Sequence, residues 1–394
     1  MTANKHKYGL QFWLLCASSF MFFMSFNMVI PELPDYLTSL GGEDYKGLFI
    51  SLFTLAAGLS RPFSGKIADQ VGRIPVMIFG SVVCVVCGLL YPVLTSVAGF
   101  LLLRFFHGFS TGFKPTGTTA YVADLVPFNI RGEALGYLGF FATLGTALGN
   151  AVGSPIASAY SYNGLFYISS LTALLSVVVL IGMKETLAER QKFSHRHLTL
   201  KRNEIFEPKV WPAFIVMALS YFSFGMILTI IPDFSSYLGF ANKGMFFTCF
   251  TLSSLLIRIV AGKASDKYGR VIVLKITYFL MTAAMIYLGL VSSRSEFIIA
   301  ALFFGIPTGM NYPTIFAWTI DLSDEKYRGK AMATVYIALE LGIGIGAVIS
   351  AWIYNNDDNR FLHTFWTGAV ATFLSFIYLI WYTRHRRPLE RHTP

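Results

Sequence analysis

Residues 61–73 read Arg-Pro-Phe-Ser-Gly-Lys-Ile-Ala-Asp-Gln-Val-Gly-Arg, and residues 258–270 read Arg-Ile-Val-Ala-Gly-Lys-Ala-Ser-Asp-Lys-Tyr-Gly-Arg. Gly65, Lys66, Asp69, Gly72 and Arg73 recur as Gly262, Lys263, Asp266, Gly269 and Arg270, an offset of 197 in a chain of 394 residues. The same offset, half the length, pairs Gly108 with Gly305, Gly112 with Gly309, Asp124 with Asp321, Arg131 with Arg328 and Gly132 with Gly329. At a nearby offset Ile30-Pro31-Glu32 answers Ile231-Pro232-Asp233. One offset shared by several segments marks an internal duplication.

The duplicated unit is a set of apolar runs. Hydrophobic residues make up 55% of the chain and charged residues 13%, against roughly 25% charged in soluble domains; mean hydropathy is +0.58. So few charges cannot cover a water-facing surface. The composition excludes a cytosolic globular enzyme, a disordered chain and a small disulfide-stapled domain, and leaves a polytopic membrane protein. A spanning helix needs about 20 apolar residues. Such runs fall at 10–37, 46–66, 73–94, 97–126, 131–158, 162–183, 211–238, 244–264, 270–291, 295–322, 328–354 and 361–383. The first is too long for the apolar region of a signal peptide and lacks a small-residue cleavage site. The expected fold is therefore an all-α polytopic membrane protein with 12 transmembrane helices. Residues 1–183 form one six-helix bundle, 184–210 a basic cytoplasmic linker, and 211–394 a second bundle with a short basic tail. A pseudo-twofold axis along the membrane normal relates the bundles, with a cavity between them.

The net charge of +10 is concentrated in alternate connections, around Lys66, Arg73, Arg131, the linker, Lys263, Arg270, Arg328 and the tail. This is the positive-inside pattern, and it puts both termini in the cytoplasm. The bilayer, not nucleic acid, accounts for the basic surplus. Cys16, Cys84, Cys87 and Cys249 all lie in apolar runs and read as helix-packing residues. No Cys, His and carboxylate set has metal-ligand spacing, and no phosphate-binding loop is present, so neither a metal, another cofactor nor ATP is expected. Gly108-Phe-Ser110-Thr-Gly112 matches a hydrolase nucleophile motif but lies inside an apolar run, without the strand-turn-helix context that chemistry needs. An enzyme is not expected.

The 65–73 segment resembles the G-x-L-a-D-r-x-G-r loop of the major facilitator superfamily, which joins that family's second and third helices. The resemblance implies a cytoplasmic latch built from Gly65, Asp69, Gly72, Arg73, Asp124 and Arg131, repeated as Gly262, Asp266, Gly269, Arg270, Asp321 and Arg328. The glycines allow a tight turn, the Asp can meet a helix N-terminus, and the basic residue can pair with the acid ending the fourth span. Ile74 stands where a second basic residue is common. Val29–Leu37 resembles the P-x-L-P-x-L signature of the twelve-helix drug/proton antiporter branch. Arg104-Phe-Phe-His107-Gly108 resembles its R-x-x-Q-G motif, with His for Gln, and Pro115 with Ala120–Asp124 matches the run that follows. On the fifth span Ser154 interrupts that branch's G-P-x-x-G-G element. The resemblance implies a secondary transporter in the inner or plasma membrane, and with no oligomerisation signal beyond ordinary helix packing a monomer is expected. It exports an amphipathic or drug-like small molecule, with the proton as coupling ion. The interrupted motif keeps open proton-coupled symport or exchange of an organic anion.

An ionisable residue at membrane depth costs at least ~2.5–3.5 kcal/mol, so each needs a reason. Lys114, midway along the fourth span, is expected to face the cavity and attract an anionic group or pair with a cavity carboxylate. Glu340, in an apolar stretch of the eleventh, suits a proton carrier. Arg104 matches the motif arginine of the branch. Glu32 and Asp233 end the first and seventh spans, and Asn27 and Asn311 are candidate cavity hydrogen-bond donors. Arg61 and Arg258 read as anchors near the membrane face.

Overall fold

A computed structural model describes residues 8–127, 130–187, 189–199, 206–324 and 328–385. Each apolar run folds as helix, because a backbone without water must satisfy its N–H and C=O groups internally. α1 (Leu10–Val29) passes through a single 3-10 turn at Ile30–Glu32 into α2 (Leu33–Ser39). Pro31 and Pro34 remove the backbone donors there that would have carried one continuous helix. Then follow α3 (Lys46–Gln70), α4 (Arg73–Leu90), α5 (Val97–Leu125) and α6 (Arg131–Ile181). α6 runs through the fifth and sixth expected spans, broken only at Ser161 (φ 69°, ψ 171°). The second half has α7 (Trp211–Tyr237), α8 (Met245–Tyr268), α9 (Arg270–Gly289), α10 (Arg294–Leu322), α11 (Arg328–Tyr354) and α12 (Phe361–His385).

Among the described residues, nine helical segments are long and apolar enough to cross a membrane, with Glu133–Ile181 counted as one. α5 falls outside this set; Arg104, His107 and Lys114 lower its hydropathy. α8 is strongly apolar only over Met245–Arg258.

The motif that decided the fold is mostly helix. α3 continues to Gln70 and α4 starts at Arg73, so only Val71 and Gly72 separate them. The expectation that both motif glycines shape a turn is corrected here: Gly65 is helical, and a Cβ there would meet nothing within 4 Å. The reversal belongs to Gly72 (φ 147°) and, in the repeat, to Gly269 (φ 91°), backbone conformations that side chains disfavour.

The chain divides into two compact units: Met1–Gly42 with Leu55–Leu200, and Glu43–Thr54 with Lys201–Pro394. The linker up to residue 200 thus clusters with the first unit, and the opening turns of α3 cluster with the second. In the first unit α1 packs on α6, and α4 on α5 and α6. In the second, α7 packs on α11, α8 on α10, and α9 on α12. The repeat extends to the closest of these contacts. A Cβ on Gly145 or Gly149 would strike the α1 backbone at Phe20 or Met24; one on Gly342 or Gly346, 197 positions later, would strike α7 at Ala218 or Phe222. Glycine permits this approach, and dispersion between the backbones holds it where lipid offers no hydrophobic drive.

Candidate functional site

Each unit carries a latch at the end of its helices. In the first, Arg73 bridges Asp69 (Nη1 to Oδ1, 2.5 Å) and Asp124 (Nε to Oδ2, 3.0 Å). In the second, Arg270 bridges Asp266 and Asp321, the latter at 3.1 Å, and also donates to Ser265 Oγ at 2.9 Å. Asp69 is largely exposed, so its pair is worth at most ~1 kcal/mol. The arginines are the less exposed members, and they hold α4 to α5 and α9 to α10. Asp69 pairs with a side chain and does not cap a helix. That role falls to Glu185, whose carboxylate accepts from the N–H groups of Arg73 (3.1 Å) and Ile74 (3.0 Å) at the start of α4. Thr186 donates to Asp124 Oδ2 at 2.9 Å. The side chains of Arg131 and Arg328, and the surroundings of Gly262, lie outside the described residues.

The interior of the first unit holds two polar clusters. Arg104, fully buried, donates to Tyr91 Oη (3.3 Å), which donates to His107 Nδ1 (3.0 Å); His107 Nε2 then faces Cys84 Sγ at 3.3 Å. Arg104 also lies 3.4 Å from His107 Nδ1. With a guanidinium so near, Nδ1 is the acceptor and the proton sits on Nε2. The second cluster is a ladder of hydroxyls between α1 and α6. Ser25 and Ser169 exchange bonds to each other's carbonyls (2.8 and 2.9 Å), and seven residues along Ser18 and Ser176 meet at 2.8 Å. Lys114, expected to face a cavity, is 1% exposed and donates to Ser18 Oγ at 2.5 Å, at one end of this ladder. Asn27 is held by Phe23 O (2.7 Å) and Thr146 Oγ1 (3.2 Å). Glu32 is buried and accepts from Ser154 at 2.6 Å, so the residue that interrupts the fifth-span motif supports a carboxylate.

In the second unit Asp233 pairs with Lys46 at 2.8 Å, both nearly buried. Asn311 accepts from Tyr278 (2.7 Å) and donates to Ser220 (3.3 Å). Glu340 is 7% exposed, one turn beyond Tyr336 on α11. Tyr336 and Tyr312 share a hydroxyl–hydroxyl hydrogen bond of 2.9 Å, and the Arg258 guanidinium lies over the Tyr312 ring, 5.6 Å from its centre. Tyr221, on α7, interacts electrostatically with Arg258, Tyr336 and Glu340.

Sequence reasoning missed Glu185, Lys46, Tyr221 and the placement of Arg258. Glu185 and Lys46 stand beside apolar runs, where a charge reads as solvated; nothing local shows the partner each finds. The duplicated offset held one usable signal, since Gly145/Gly342 and Gly149/Gly346 obey it too.

Ser110 lies inside α5 and its hydroxyl donates to His107 O at 2.6 Å, which is helix back-bonding and not a nucleophile's placement. Among the described residues no group of three or more His, Cys, Asp or Glu could hold a metal ion.

The Major Facilitator Superfamily profile matches residues 15–244 and 213–394. The chain is 27% identical to the "Multi-drug resistance efflux pump PmrA homolog" of Lactococcus lactis, over 86% of each chain. It is 26% identical to "Multidrug resistance protein 2" of Bacillus subtilis, over 66% of this chain and 67% of that one. With "Quinolone resistance protein NorA" of Staphylococcus aureus it shares 28% identity, and the match spans about half the length of each, 54% and 55%. Two solved structures share the fold at 18% identity. The human organic anion transporter MFSD10 gives a TM-score of 0.73 and covers 93% of this chain and 98% of its own; a D-xylose-proton symporter gives 0.76, with 95% and 97%. With the latch present in each unit and a profile that runs through both, the chain belongs to the Major Facilitator Superfamily, an integral membrane family of transporters and not of enzymes.

Proposed function

We propose that the chain is a proton-coupled secondary transporter that exports drug-like, amphipathic solutes across the plasma membrane by alternating access. The observation that carries this is Glu340. It is a carboxylate buried near Tyr336 and Tyr221 in an apolar stretch of α11, in a chain similar along most of its length to proteins named for multidrug resistance and efflux. A carboxylate in that setting is costly to leave charged, so its protonation can be coupled to occupation of the same place by a solute. Proton and solute would take Glu340 in turn. The two arginine latches would stabilise one of the alternating states, and Arg104 with His107 would form a second polar relay. The protein acts as a monomer with both termini in the cytoplasm.

The test is transport into proteoliposomes under an imposed pH gradient, with a panel of amphipathic dyes. Solute movement against its gradient, with matching proton counterflow, is expected, and Glu340→Gln should abolish accumulation while leaving passive equilibration. No solute-dependent proton flux across the panel would sink the coupled reading. Proton uptake together with anionic solutes would favour symport or exchange of an organic anion instead.

A further inference from the structure

Arg258 is a half-buried charge of the second unit that the proposed cycle does not use. It lies near the middle of α8, where that helix's strongly apolar stretch ends. Its guanidinium is seated over Tyr312, an attractive arrangement of cation and ring face. The planar fork keeps its N–H donors around the edge, in the geometry that matches a carboxylate. Phe316 closes the aromatic wall, with ring centres 4.4 Å from Tyr312 and 5.0 Å from Tyr336. Glu340 follows Tyr336 by one turn, on the same face of α11, and Tyr221 interacts with both the cation and the carboxylate. Four helices of the second unit (α7, α8, α10 and α11) thus bring one guanidinium, one carboxylate and four aromatic rings together.

We propose that Tyr221, Arg258, Tyr312, Phe316, Tyr336 and Glu340 form a recognition site for a zwitterionic aromatic solute. Arg258 takes its carboxylate, Glu340 takes its cationic end, and the rings stack on its aromatic body. This rests on the transporter reading given above and names its substrate class. Charge balance favours this class of solute. Two opposite charges in a low-dielectric interior satisfy each other, and removing one partner's complement leaves the other uncompensated. A solute bearing only a cation, or only an anion, would engage one of the pair and strand its mate. A zwitterion replaces both interactions at once. The aromatic wall adds stacking that a purely aliphatic zwitterion cannot use.

The experiment measures binding to the purified full chain by fluorescence anisotropy, with three xanthene dyes of similar shape. At neutral pH rhodamine B is a zwitterion, its ethyl ester is a cation and fluorescein is an anion. Rhodamine B should bind at least ~10-fold more tightly than either of the others, the effect expected of one added charge-assisted contact. Arg258→Gln should lower rhodamine B affinity ~10–100-fold while moving ester affinity less than about two-fold. Glu340→Gln should weaken rhodamine B and its ester but spare fluorescein. Equal binding of rhodamine B and its ester to the unaltered chain would overturn the proposal, as would an Arg258→Gln variant that weakens all three dyes alike. The ranking on the unaltered chain needs no variant, so it decides even where Arg258→Gln does not fold. A chain that shows the ranking but no proton-coupled transport refutes the coupling and keeps the site. Coupled transport without the ranking refutes the site alone.

Discussion

Lys114 ends a ladder of serines, and the ladder sets what its removal should cost. Ser18→Ala takes away the acceptor 2.5 Å from the ammonium and leaves a buried donor in an apolar bundle. That substitution should destabilise the protein by ~1–3 kcal/mol, read as a lowered midpoint in thermal unfolding of the purified protein. Lys114→Met removes the charge together with its need for a partner, so its unfolding midpoint should stay near the parent's. A Lys114→Met variant destabilised more than Ser18→Ala would show that further groups depend on the amine. Glu32 obeys the same logic through Ser154, and Ser154→Ala should cost a similar ~1–3 kcal/mol in the same measurement. The scarcity of charge in the apolar runs was enough to single out Lys114, Glu340, Arg104 and Glu32 from sequence. It could not find their partners. Ser18 and Ser154 are small, common residues with no pattern of their own, and Lys46 lies 187 positions from the Asp233 it pairs with.

At the level of helices, the repeated glycines of α6 and α11 make a matched pair of tests. Gly149→Leu and Gly346→Leu each force a side chain into a neighbouring backbone that cannot shift as a side chain would. Each should destabilise by ~1–3 kcal/mol or more, whereas Gly65→Ala, in open space, should be neutral or slightly stabilising by helix propensity. Thermal unfolding of the three variants side by side checks the contrast. The turn before α12 supplies a pH-dependent test. The backbone N–H of Asn359 is the main group that holds Asp357 below the usual carboxylate range. A depressed carboxylate contributes above its unfolded pKa, and the contribution disappears as pH falls through the depressed value. Hydrogen exchange at Asn359, corrected for its intrinsic rate, should therefore accelerate only on strong acidification. The spans themselves were legible because twenty apolar residues have few alternatives in a membrane. Their edges were not. Nothing in Gly65–Gln70 breaks a helix strongly, so α3 ran on through the segment read as a loop, and a single non-helical residue, Ser161, was enough to separate two spans.

For the molecule as a whole, the duplication is near but not complete. Both units carry the arginine latch, yet among the described residues only the first receives a capping carboxylate from beyond its last span; the residue 197 positions after Glu185 is Tyr382. The first latch is therefore tied to the start of the linker, and Glu185→Gln should loosen the N-terminus of α4. In a hydrogen-exchange experiment, faster exchange at Arg73 and Ile74, with Arg270 unaffected, would be the signature. The orientation argued from basic residues is tested by reporter fusions placed after Arg384 and within 189–199. Both should report the cytoplasm, and opposite sides would refute the assignment.

The opening turns of α3 carry one more implication. Residues 43–54 are encoded within the first repeat but cluster with the second unit, through contacts such as Lys46 with Asp233. Inheritance and allegiance are thus split inside one helix. In a deep mutational scan, substitutions at 43–54 should be rescued by second-site changes in residues 206–385, while substitutions at 55–70 should find their suppressors in the first half. A genetic map of compensation would place the boundary between the units at Thr54, in the interior of a helix, and not at the polar linker that divides the sequence.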